Sequence, residues 1–217
     1  KEMTGAMDDQ KLREISERLD YLRGLDKRWE QIAASIAEQG KMTAELEKKL
    51  SAAATLSELE DIYRPYKQKR RTRAMIAKEK GVQPLADLIF AQRRGDDPLA
   101  LAQAYVSEEK GVPDAETAVQ LAQDILAEQI SDDAAIRANL RALYRRTGVL
   151  RSVAAKEGES VYAQYADYRE PVLRAAGHRI LAINRGEREE WLKVAVECDD
   201  EQAMQIICRA VIRPGSA

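Results

Sequence analysis

Residues 59–89 read LEDIYRPYKQKRRTRAMIAKEKGVQPLADLI. The stretch carries its own helix punctuation. Just upstream, Thr55 and Glu58 have the spacing of a capping box, so a short helix starts at Leu56 and runs to Tyr63, where Pro65 stops it. Thr72 suits the N-cap of a second helix. Gly81 suits its end, with Val82 placed to fold back on Ile76, and Pro84 suits the first turn of a third helix through Gln92. Short helices joined by tight connections predict a mainly α fold, a multi-helix array.

On the N-terminal side, Leu12, Ile15, Leu19, Leu22, Leu25, Trp29, Ile32 and Ile36 recur at spacings of three and four. They predict one long amphipathic helix, capped by Asp8 or Asp9 and ended by Gly40. Such a helix buries its stripe only against partners, and the helices that follow are the nearest. Thr43 opens the first of these, through Leu50.

On the C-terminal side, Gly95-Asp-Asp-Pro98 and Gly111-Val-Pro113-Asp114 read as helix starts. The word Glu-Lys-Gly-Val occurs at 79–82 and again at 109–112, the same stop-and-start grammar used twice. Helices are expected over Asp114–Ile130 and, capped by Ser131, over Asp132–Arg146. Past Gly148 the pattern changes. At most one or two short strands are expected, near 149–153 and 191–197, the latter from the alternation in Trp191–Glu197. Glu159–Tyr168 and the residues from Pro171 to Asn184 read as helical, with Gly186 as a breaker. A last helix, capped by Asp199 or Asp200, covers Glu201–Ile212. Three regions follow: a helical hairpin region over 1–63, a basic loop with a helical core over 64–148, and a helical and short-strand segment over 149–217.

Charge is unevenly spread. Residues 1–63 hold 10 basic and 14 acidic groups (−4), residues 64–80 hold 8 and one (+7), and residues 81–217 hold 17 and 22 (−5). The total of −2 hides a local positive field. Lys67, Lys69, Arg70, Arg71 and Arg73 surround a capped helix start after Pro65. Their forks and ammonium groups suit sequence-blind contact with nucleic-acid phosphates. The alternative is that these cations pair with the chain's own acids, Glu58, Glu60 and Asp61 being nearest.

Little in the sequence speaks for catalysis. There is no Gly-rich phosphate loop, nucleophile elbow or His–Glu zinc motif. The one histidine, His178, lacks companion ligands. The pairs Asp8-Asp9, Asp96-Asp97, Asp132-Asp133 and Asp199-Asp200 sit at expected helix starts, where they cap rather than bind metal. Two cysteines, Cys198 and Cys208, form neither a disulfide framework nor a metal knuckle. No catalytic residue, cofactor or metal is expected. Aromatic residues make up 5%, too few for a base-stacking sheet. Without a long apolar run or a signal peptide, a cytoplasmic protein with no membrane partner is expected. Both ends read as cut from a longer chain.

The quoted stretch resembles the signature of the bacterial Tex family of transcription accessory proteins, whose usual form reads LEDLYLPYKPKRRTR followed by AxxAxExGLxPLA. Arg64 and Gln68 depart from it, standing where the family has Leu and Pro. Thr4–Asp9 (TGAMDD) resembles the family's TGGLDD, and Gly177–Glu187 (GHRILAINRGE) its HRxLAxxRG. The resemblance implies a nucleic-acid-binding, multidomain protein. Its RNase H-like (YqgF-type), helix-hairpin-helix and C-terminal OB-fold RNA-binding domains would lie outside this chain, and the OB domain would be the main binder of RNA or DNA. It also implies contact with RNA polymerase or other transcription factors. On this reading the chain is a helical module that scaffolds later domains and offers a basic phosphate-contacting surface. The alternative is a purely structural, protein-interaction scaffold.

Overall fold

The computed structural model describes residues 8–68, 70–158 and 160–215. It is mainly α, with ten helices and one three-stranded sheet among those residues. The chain divides into two compact units. The first comprises Lys1–Arg70 with Asp132–Ala134, and the second comprises Arg71–Ser131 with Ala135–Ala217.

The first unit is built on α1 (Asp9–Glu38), α2 (Ala44–Ala52) and α3 (Leu56–Tyr63). The expected caps form. Asp8 accepts from Gln10 N, Thr43 from Leu46 N, and Thr55 with Glu58 closes a reciprocal capping box. Ile32, Ile36, Leu46, Leu50 and Leu59 make the core. Only the C-terminal half of the α1 stripe is covered. Leu12, Ile15, Leu19 and Leu22 remain 39–52% exposed. Length explains the difference: at 1.5 Å per residue α1 is about 45 Å long, whereas α2 and α3 are each about 12–14 Å.

The second unit continues with α4 (Arg73–Glu79), α5 (Gln83–Ala91), α6 (Pro98–Ala102), α7 (Ala115–Asp132) and α8 (Ala134–Thr147). Its larger core joins Ala77, Val82, Leu85, Val112, Ala118 and Ile125. The repeated Glu-Lys-Gly-Val word explains itself here. Gly81 (φ 82°) and Gly111 (φ 67°) both take left-handed turns open to glycine. Val82 and Val112 enter the same core fully buried. Each word's lysine lies on the other's glycine: Lys80 Nζ donates to Gly111 O at 2.8 Å, and a Cβ at Gly81 would stand 3.4 Å from Lys110 Nζ.

The remainder is β1 (Val149–Ala154), β2 (Asp167–Pro171), α9 (Gly177–Arg188), β3 (Leu192–Glu197) and α10 (Asp200–Val211). The sheet order is β2-β1-β3, all antiparallel, with Ser152 opposite both Tyr168 and Val194. The two expected strands form, but the limit of two strands is exceeded, because β2 pairs with β1. The tyrosines expected to be helical serve the core instead. Of that segment Glu159 lies outside the described residues, Ala163–Tyr165 form a single 3-10 turn, and Tyr162 and Tyr165 are buried against Ile183 and Leu192. Tyr165 and Tyr168 meet edge to face, 5.5 Å between ring centres.

Candidate nucleic-acid interface

The chain leaves α3 through a 3-10 turn, Arg64–Tyr66, set by Pro65. It is extended at Lys67 and re-enters helix at α4, where Thr72 Oγ1 accepts from Met75 N at 3.1 Å. The candidate cations lie along this connection. Lys67 and Arg70 belong to the first unit, Arg71 and Arg73 to the second. Lys69 lies outside the described residues.

The seven described basic groups of 64–80 divide into two sets. Four are engaged. Arg64 Nε donates to Asp132 Oδ1 at 2.9 Å, Arg71 Nη2 to Glu79 Oε2 at 2.8 Å, and Lys78 sits 3.7 Å from Glu128. Lys80 holds the Gly111 carbonyl. Lys67, Arg70 and Arg73 are exposed, and among the described residues no carboxylate pairs with them.

The acids expected to neutralise the loop are partly spent elsewhere. Glu58 accepts from Ala54 N (2.7 Å) and Thr55 N. Glu60 takes Arg28 Nε at 2.6 Å, a hydrogen bond that pushes the Arg28 pKa up against the opposing effect of burial. Asp61 is buried and engaged. Among the described candidates Arg71 is held by an acid, and that acid comes from α4 rather than from upstream. Neither Arg70 nor Arg71 is buried. With only seven residues, α4 adds little dipole, so an anion here would be held by side chains.

Three of the four aspartate pairs act as caps: Asp8, Asp97 and Asp199 each accept from a backbone N–H of the helix they open. Asp132-Asp133 departs from that expectation. Helix α7 runs on through Asp132, which is buried and receives Arg64. Among the described residues no group of three or more His, Cys, Asp or Glu side chains is disposed to hold a metal ion. No described helix is long and apolar enough to cross a membrane.

A second basic element escapes the segment-by-segment charge count. Helix α8 (AAIRANLRALYRRT) carries four arginines and no acid. The signal was present at the scale of a single helix, but the surrounding acidic residues mask it.

A family model described as Tex central region-like matches residues 93–214, and one described as Tex-like protein N-terminal domain matches residues 1–37. The chain is 45% identical over 201 residues to the uncharacterized protein YdcI of Bacillus subtilis, covering 91% of this chain and 28% of that protein. It is 43% identical over 201 residues to the transcriptional accessory protein Tex of Neisseria gonorrhoeae, covering 91% and 26%. It is also 28% identical over 210 residues to the human S1 RNA-binding domain-containing protein 1, covering 92% and 21%. The chain thus spans about a quarter of the length of the curated relatives it matches.

Proposed function

This chain belongs to the Tex family, and from that premise we propose that it is a non-catalytic helical module of a cytoplasmic transcription accessory protein whose basic segment contacts nucleic-acid phosphates. One observation carries the reading. Lys67, Arg70 and Arg73 stand exposed without a carboxylate partner among the described residues, while Glu58 and Glu60, close by in sequence, are engaged elsewhere. Uncompensated surface cations of this kind release counterions when they meet a phosphate backbone, which gives affinity without base reading. Names among the relatives, a transcriptional accessory protein and an S1 RNA-binding domain-containing protein, support nucleic acid as the partner class. In the whole protein, domains outside this chain would supply most of the RNA or DNA affinity, with this module scaffolding them.

The test is a salt titration. Replacing Lys67, Arg70 and Arg73 with Ala should weaken binding of single- and double-stranded oligonucleotides alike, with little dependence on sequence. The slope of log affinity against log salt should flatten by roughly 2 to 2.7, at 0.7–0.9 per phosphate contact. An unchanged affinity and slope would overturn the reading.

A second reading, a protein-interaction scaffold, is favoured by the uncovered stripe Leu12–Ile15–Leu19–Leu22 on α1. On it, Ile15→Ser with Leu19→Ser abolishes binding to purified RNA polymerase and leaves oligonucleotide binding intact. Retained polymerase binding would count against it.

A further inference from the structure

We propose that the groove between α8 and α10 is a separate phosphate site that takes a stretch of single-stranded nucleic acid. The proposal rests on the reading of this chain as nucleic-acid associated, but not on the basic segment, whose described residues do not line this groove.

The groove has a volume of about 460 Å³, within the range of ligand clefts. Helix α8 presents Asn139, Leu143 and Arg146 to it, at spacings of four and three. Helix α10 presents Ile206 together with Arg209 and Ala210, which follow it by three and four positions. The floor is apolar, with Leu143 buried and Ile206 half-buried. The rim carries two guanidinium groups and one amide, and among the described residues no carboxylate lines it.

The charge balance makes this arrangement unusual. Arg146 and Arg209 are both exposed, and neither side chain has an ion pair or hydrogen bond among the described residues. Helix α8 contains no acid. The acids of α10, Asp200 and Glu201, sit in its first turn, whereas Arg209 is in the last, about 12 Å further along the axis. Each arginine stands in the last turn of its helix, where the dipole favours a cation. The dipole accounts for a positive charge on each helix. It does not account for two like charges lining one groove with nothing between them. An anion there satisfies both.

The chemistry of the lining selects the anion. Planar guanidinium forks match the oxygens of a phosphate, and their faces accept a base. The apolar floor offers a dry surface to the sugar or base next to that phosphate. A backbone phosphate flanked by its nucleotides uses both parts of the groove.

The test uses the 217-residue chain and a 12-residue oligouridylate carrying a fluorophore. Arg146→Ala with Arg209→Ala should lower affinity about ten- to a hundredfold, as expected for two solvent-exposed groups each contributing a hydrogen bond of ordinary net strength. The salt slope should fall by about 1.4, at roughly 0.7 per single-strand contact. Changing the same pair to Lys should keep the slope and lose part of the affinity. In the unaltered chain, an oligonucleotide carrying 4-thiouridine should crosslink within 134–147 or 200–211. Those crosslinks should survive in the Lys67, Arg70 and Arg73 variant.

Wild-type affinity and slope in the Arg146→Ala, Arg209→Ala variant, with crosslinks elsewhere, would overturn the proposal. That is also the result expected if the groove takes a protein segment instead. Binding lost in the groove variant and unchanged in the basic-segment variant would leave this proposal standing and remove the basic-segment reading. The reverse would do the opposite.

Discussion

Replacing Gly148 with alanine is expected to destabilise the fold by about 3 kcal/mol, a shift read directly from the midpoint of a urea melt. Helix α8 ends at Thr147 and β1 begins at Val149, so Gly148 alone turns the chain from helix to strand. Its N–H donates to Tyr144 O at 2.8 Å, and its carbonyl accepts from Val172 N at 2.8 Å. A Cβ there would lie 2.2 Å from Tyr144 O, 3.1 Å from its carbonyl carbon and 3.2 Å from Val196 Cγ1. The obstacle is backbone in the last helical turn, which cannot swing aside as a side-chain tip can. Relief means opening one or both hydrogen bonds, at about 1 kcal/mol each, on top of the overpacking cost. Gly24 supplies the control. It sits mid-helix in α1 with nothing within 4 Å of a would-be Cβ. Gly24→Ala should therefore stabilise by about 0.5–1 kcal/mol through helix propensity alone.

The second large effect separates the two halves of α1. Ile36→Ala removes a fully buried side chain from the core it shares with Leu50 and Leu59, and should cost about 2–5 kcal/mol in the same assay. Leu19→Ala, on the same helix and in the same apolar stripe, removes a side chain that is 45% exposed and should change stability by no more than about 0.5 kcal/mol. Equal losses at the two positions would mean that the N-terminal half of the stripe is covered when the chain is folded in solution.

Local grammar made the helices legible. Thr43, Thr55 with Glu58, Thr72, Asp97 and Asp199 each announce a helix within four residues of themselves, and each caps one in the structure. Distant partners were not legible. The residues of β2, Asp-Tyr-Arg-Glu-Pro, show no apolar alternation, and they form a strand because β1 offers its edge. Gly186 reads as a breaker, yet α9 runs through it, and the glycine serves packing instead: Leu192 and Tyr162 occupy the space a side chain would need. At the candidate site the charges were visible in the sequence, but their pairing was not. The structure gives Arg64 to Asp132 across 68 positions and Arg71 to Glu79 across eight. The α8–α10 groove joins arginines 63 positions apart, Arg146 and Arg209, which no window of sequence brings together.

The membership of Asp132–Ala134 in the first unit has a consequence for timing. The chain leaves that unit after Arg70 and returns to it only at Asp132, 62 residues later. At the usual 5–20 residues per second of synthesis, about 3–12 s separate the emergence of those two points from the ribosome. During that interval Arg64 has been made but its acceptor, Asp132, has not. The nascent first unit can therefore gain the Arg64–Asp132 pair only after the 61 residues from Arg71 to Ser131 have been made, and the order of synthesis is not the order of completion.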